Sequence, residues 1–192
     1  MELLRNKLLS YCRLSDSEIG DLVKAFSSVT LKPGEKLFSE GDVVQSFYFI
    51  LSGVLIYTSE IDGDSSVIEF YSDGEIHTDF YSYLKAKPTV CSAIAEEETV
   101  VMSISRKQLD SLYESSMSLQ RFGRKFAEGY HLDILRRNYE KQIFSNEERY
   151  KRFLDRRYEL SQRVPQYKIA SYLNITPVGL SKIRKRMFNN RK

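Results

Sequence analysis

The last 29 residues, 164–192, hold seven Lys/Arg and no Asp or Glu, and the chemistry open to such a segment is anion binding. Thr176-Pro177 has the form of an N-cap followed by a first helical residue. Leu180, Ile183 and Met187 then recur at i, i+3 and i+7, which predicts a helix over 177–187 with one buried face. The opposite face carries Val178, Gly179, Ser181, Lys182, Lys185 and Arg186. Upstream, 166–173 reads as a shorter helix with Ile169, Ala170 and Leu173 inward, and Asn174-Ile175-Thr176 is the turn. Two short helices across a turn, the first with a small residue and the second with a cationic outer face, have the pattern of a helix-turn-helix. On that geometry Thr176 and Gly179 lie beside a phosphate at the helix N-terminus. Pro177, Val178, Ser181 and Lys182 face base edges, with Lys182 able to donate to guanine and Val178 to touch a thymine methyl. Lys168, Arg184, Lys185 and Arg186 read as phosphate neutralisers. Arg191 and Lys192 are divided between that role and a solvated tail.

Other chemistry finds little support. The motifs GxSxG, GxxxxGK[ST], HExxH and GxGxxG are absent, so no enzyme is expected. The two histidines, His77 and His131, fall in different regions, and no metal or other cofactor is assigned. Cys12 and Cys91 are too few for a four-cysteine site and read as free thiols of a reducing cytoplasm. Asp62/Asp64 and Glu96–Glu98 read as solvated turn and loop acids. No apolar run is long enough to span a bilayer, and the N-terminus lacks the form of a secretory signal.

The 192 residues carry a net charge of +3 that conceals a division. Residues 1–117 hold 10 Lys/Arg against 19 Asp/Glu, a net of −9; residues 118–192 hold 19 against 7, a net of +12. The acidic part opens with helical patterns at 2–12 and 15–27, the second headed by a Ser15/Glu18 capping box. Strand patterns follow at 36–38, within 45–58 (broken by Gly53), at 67–71, 89–95 and 99–105, with Asp62-Gly63 as a hairpin turn. Many short strands between turns predict a β-sandwich or roll rather than an α/β sheet, and with the flanking helices an α+β protein. Helical spacing returns at 106–113 and 118–143. The latter is about 39 Å of helix, with Leu119, Phe122, Phe126, Tyr130, Leu135, Tyr139 and Ile143 in one stripe that needs a partner: the roll, or the same helix of a second subunit. Ser145/Glu148 caps a basic helix that runs to about Leu160.

Three segments carry a resemblance to the Crp/Fnr family of bacterial transcription regulators: Leu31-Lys-Pro-Gly-Glu-Lys-Leu-Phe-Ser-Glu-Gly-Asp42, Tyr48-Phe-Ile-Leu-Ser-Gly-Val54 and Ile169-Ala-Ser-Tyr-Leu-Asn-Ile-Thr-Pro-Val-Gly-Leu-Ser-Lys-Ile-Arg184. The resemblance implies a cyclic-nucleotide-binding-like jelly roll (1–117), a long dimerisation helix (118–144) and a C-terminal helix-turn-helix (145–192), winged-helix-like with a truncated wing. It implies a homodimer paired through Leu119, Phe122, Phe126 and Tyr130, double-stranded DNA as partner, and room for RNA polymerase as a further one. The family's cyclic-nucleotide cassette aligns its Gly-Glu pair with Thr78-Asp79 and its Arg-Ser pair with Thr89-Val90. The cationic position is therefore empty, and cAMP is not expected to bind well. Val178 stands where the family often has an acid, so the usual half-site is not assumed. An effector pocket is placed at Tyr48, Phe70, Thr78, Asp79, Phe80, Thr89 and Val90. Its aromatic residues are expected to fill the roll interior, with an apolar pocket for an unknown small molecule as the alternative. The competing reading of the whole chain is an interaction or ligand-binding module whose basic tail meets some other acidic partner.

Overall fold

The computed structural model describes residues 2–61 and 63–189. Two short helices, α1 (Glu2–Tyr11) and α2 (Asp16–Ala25), open the chain. The expected capping box forms: the Glu18 N–H donates to Ser15 Oγ at 3.2 Å, and the Ser15 N–H donates to the Glu18 carboxylate at 2.8 Å. Helix α2 stops short of residue 27 because Ser27–Leu31 is strand β1. The remaining strands are β2 (Lys36–Phe38), β3 (Ser46–Ser52), β4 (Val54–Ile61), β5 (Asp64–Ser72), β6 (Ile76–His77), β7 (Ser92–Ala95) and β8 (Thr99–Ser105), with helix α3 (Phe80–Lys85) between β6 and β7. They form two antiparallel four-stranded sheets, ordered β1-β8-β3-β6 and β2-β7-β4-β5. β1, β6 and α3 have no counterpart in the sequence reading. The break between β3 and β4 is Gly53 at φ 107°. A Cβ there would stand 2.6 Å from Thr99 Cα, so only glycine fits this crossing of backbones.

Four helices of very different length follow the roll after α4 (Arg106–Ser115): α5 (Met117–Ile143), α6 (Asn146–Arg163), α7 (Gln166–Tyr172) and α8 (Pro177–Asn189). The stripe along α5 divides in two. Leu119, Phe122 and Phe126 are buried with Leu4, Leu8, Phe47 and Leu109 in one core cluster, and the Phe126 ring meets Phe47 edge-on at 5.3 Å. Their assignment to a subunit interface is therefore corrected, since the subunit's own roll and α1 already cover them. Tyr130 is half-buried against Phe80, ring centroids 4.6 Å apart. Farther along, Leu132, Tyr139 and Ile143 are 65%, 57% and 70% exposed.

A second core joins α6, α7 and α8 to the outer face of the roll. Phe70, Val54 and Ile56 pack with Tyr150, Phe153, Leu160, Ile169, Leu173, Leu180 and Ile183. Burying these faces drives the association, and a set of ion pairs directs it. Glu69 of β5 takes Arg137 and Arg157, and Arg157 also reaches Glu75 and the Phe70 carbonyl. Helix α6 departs from helical geometry at Arg157. Arg163 binds Asp73 and Glu97, and Lys168 binds Glu96. The loop acids Glu96 and Glu97 are thus structural partners rather than solvated charges.

Candidate nucleic-acid interface and effector cavity

Helix α8 begins where its sequence requires. Thr176 Oγ1 accepts from the Gly179 N–H at 3.0 Å, and Pro177 in the first turn has no N–H to satisfy. Leu180 and Ile183 are buried and Met187 partly so, which turns the other face outward. Thr176, Pro177, Val178, Ser181, Lys182, Lys185 and Arg186 are exposed and Gly179 is half-buried. Lys182, Arg184 and Lys185 enter no ion pair among the described residues, whereas Arg186 holds Glu147 at 3.2 Å across an open surface. Lys168 departs from this group. Its ammonium is tied to Glu96, and the two side chains are only 26% and 15% exposed. Its placement among the phosphate contacts is corrected on that ground. Arg191 and Lys192 lie outside the described residues.

Aromatic side chains fill the roll interior, where Phe38, Tyr48, Tyr57, Tyr71 and His77 pack on one another. A cavity of about 660 Å³ opens between the roll and helices α5, α6 and α7. Of the expected pocket residues, Thr78, Asp79, Phe80 and Val90 line it. The other three do not. Phe70 points to the opposite side of its sheet, against Phe153 and Tyr172, because alternation along β5 sends Glu69 and Tyr71 inward. Tyr48 is packed on Phe38 and His77. Thr89 is buried and donates to the Asp79 carboxylate. That carboxylate also caps α3, accepting from the Ser82 N–H at 3.1 Å. Lys85 and Lys87, the two lysines able to replace a missing phosphate ligand, are exposed and do not line the cavity.

Residues that sequence reasoning did not place here complete the wall: Tyr57, Tyr71 and Tyr130 at the roll end, Arg137, Lys141, Arg149 and Arg156 at the helix end. Burial pushes the Tyr57 and Tyr71 phenols well above their usual range. Tyr57 shares a 2.7 Å hydrogen bond with His77 Nδ1, and His77 stacks on Tyr71 at 4.2 Å. Complete burial holds the His77 imidazole down to about 3, so it is neutral at ordinary pH. Helical spacing marked Tyr130 as apolar-face. No local signal told that Arg137 and Arg149 share a cavity with Tyr57. Among the described residues no cluster of three or more His, Cys, Asp or Glu is placed to hold a metal ion, and no helix is long and apolar enough to cross a membrane.

Residues 28–116 match the family model described as the cyclic nucleotide-binding domain. No curated protein matches the sequence. Among solved structures, the catabolite activator protein of Thermus thermophilus is similar with a TM-score of 0.60 at 18% identity, over 96% of this chain and 87% of that one. The global regulator CLP of Xanthomonas campestris, described as responsive to c-di-GMP, gives 0.67 at 17% identity over 92% and 93%. FixK2 of Bradyrhizobium japonicum gives 0.67 at 16% identity over 86% and 85%. At such identities the likeness is one of fold. The chain is an α+β protein built on a cyclic-nucleotide-binding β-roll, with helices arranged as in these regulators.

Proposed function

We propose that this protein is a dimeric, sequence-specific DNA-binding transcription regulator whose roll has lost the chemistry for a cyclic phosphate. The observation that carries the reading is the outer face of α8. Val178, Ser181, Lys182 and Lys185 stand free at the N-terminal end of a helix that continues a tight turn, in a segment with no acid. A helix of this kind seats its first turns in the major groove, where Lys182 donates to a guanine edge and Lys185 meets a phosphate. Regulators of the similar fold, such as the Xanthomonas protein named above, support the same use of the architecture.

Twofold pairing is carried by the half of α5 that the subunit leaves bare. Leu132, Leu135, Tyr139 and Ile143 follow i, i+3, i+7, i+11 along one face, the spacing of a helix-helix seam. A dimer joined there presents two copies of α8 to half-sites about 34 Å apart. Against cAMP, the position of the phosphate ligand holds Thr89, already engaged with a carboxylate. The test is selection of bound fragments from random duplex DNA by the full chain. An enriched palindromic motif that survives competitor DNA is expected; recovery of random sequence overturns the reading.

A further inference from the structure

The cavity beside the roll has a chemical polarity of its own. Its roll end presents phenol and phenyl rings, Tyr57, Tyr71, Phe80 and Tyr130, together with the Asp79 carboxylate. A phosphate or carboxylate driven into that end would meet a like charge. Its helix end presents four cations, two of which are already neutralised. Glu69 accepts from Arg137 and Arg157, and Glu140 holds Arg156 by two hydrogen bonds of 2.8 and 2.7 Å. Arg149 and Lys141 have no carboxylate partner among the described residues. The Arg149 Nη2 donates to Asn146 Oδ1 at 2.6 Å, while its Nε is buried with no acceptor at all. That N–H is closed to a ligand, so Arg149 offers an anion its unneutralised charge and its remaining Nη donors.

We propose that this cavity binds a small aromatic acid, its ring among the tyrosines of the roll end and its carboxylate on Arg149 and Lys141. A volume of about 660 Å³ lies within the usual range for small-molecule sites, and apolar walls with a few convergent polar groups are their usual make-up. Aromatic rings pack edge-on and offset against tyrosines, and a guanidinium binds a carboxylate through charge-assisted hydrogen bonds. The orientation is the reverse of what a cyclic nucleotide would need with its phosphate inside the roll. The site also touches the parts that would relay binding. Tyr172 of α7, its C-cap Leu173 and Phe153 of α6 line it, and α7 leads through the turn at 174–176 into α8. The inference deepens the regulator reading by naming its effector class.

The test is calorimetry on the full chain without DNA, so its failure leaves the DNA-binding reading standing and the reverse also holds. Three acids serve as probes, indole-3-acetate, 1-naphthoate and 4-phenylbutyrate, each beside its primary amide. At least one acid is expected to bind once per chain with Kd below about 1 mM, its amide about tenfold weaker. Arg149→Gln is expected to erase the preference for the acid. Lys141→Gln, at an exposed lysine, is expected to reduce it and keeps the test decisive where the arginine variant does not fold. Binding by none of the three acids, equal binding of acid and amide, or an undiminished preference in the folded variants would overturn the proposal. Displacement of the bound acid by cAMP at a similar concentration would overturn the reversed orientation.

Discussion

The arginines of residues 137–163 and the lysines of α8 come from the same basic half of the sequence, yet the fold uses them in opposite ways. Arg137, Arg156, Arg157 and Arg163 turn inward to Glu69, Glu75, Asp73, Glu97 and Glu140. Arg156 ties α6 to α5 through Glu140, and the others, with Lys168 and Glu96, fasten α5, α6 and α7 to the acidic roll. Lys182, Arg184 and Lys185 are exposed and form no ion pair among the described residues. Net charge adds the two sets together, but only the second remains available to a polyanion. The first set is screened little by salt because it is largely enclosed, while the second should be strongly salt-sensitive.

The comparison is broken or sharpened most forcefully at Glu69. It is 4% exposed and accepts from Arg137, Arg157 and the Phe70 N–H. Glu69→Ala leaves the Arg137 guanidinium without an acid and Arg157 with Glu75 alone, and should lower stability by about 3–5 kcal/mol in urea unfolding. A loss below about 1 kcal/mol would mean that the inward set is not a fastening. On α8, Lys182→Ala should weaken the selected DNA site by about 1–3 kcal/mol and leave unselected DNA and Tm unchanged. Lys185→Ala should weaken all sequences alike and flatten the salt dependence by about one ion. Lys168→Ala belongs with the inward set. It should cost about 1 kcal/mol of stability, with DNA affinity at constant folded fraction unaltered.

Acid separates the two sets by a different route. Burial raises the Asp73 carboxyl, but the hydrogen bonds from Arg163 and the Gly53 N–H outweigh it and hold the group below its ordinary 3.8. Its contribution is therefore complete above that value and is lost as pH falls through the lower folded one. Pepsin cleavage within residues 144–176 should rise in that window at constant far-UV signal from the roll. Cleavage that rises equally in Asp73→Asn would assign the change to some other carboxylate.

How much of this was legible in the sequence differs between local and distant features. Capping boxes at Ser15/Glu18 and Ser145/Glu148 formed as their spacing required, and Ile169, Ala170, Leu173, Leu180 and Ile183 are buried as periodicity placed them. β6 is two residues long and α3 six, too short for either period to register. The stripe on α5 was visible, but periodicity names an apolar face and not what covers it. Phe126 meets Phe47 of its own roll, while Tyr139 stays exposed. The Glu96–Glu97 pair misled because its partners, Arg163 and Lys168, lie some seventy positions away. Phe70 faces the other side of the sheet from the pocket, because a bulge between Tyr57 and Thr58 shifts the register of β4 on β5 and no local pattern signals it.

The central claim is that α8 reads DNA through its outward face. Hydroxyl-radical footprinting of the full chain on its selected duplex, beside Lys182→Ala, tests it most directly. Two protected patches about one helical turn apart are predicted, both lost on that duplex in the variant while its fold is intact. An unprotected duplex, or a footprint that Lys182→Ala leaves unchanged, would contradict it.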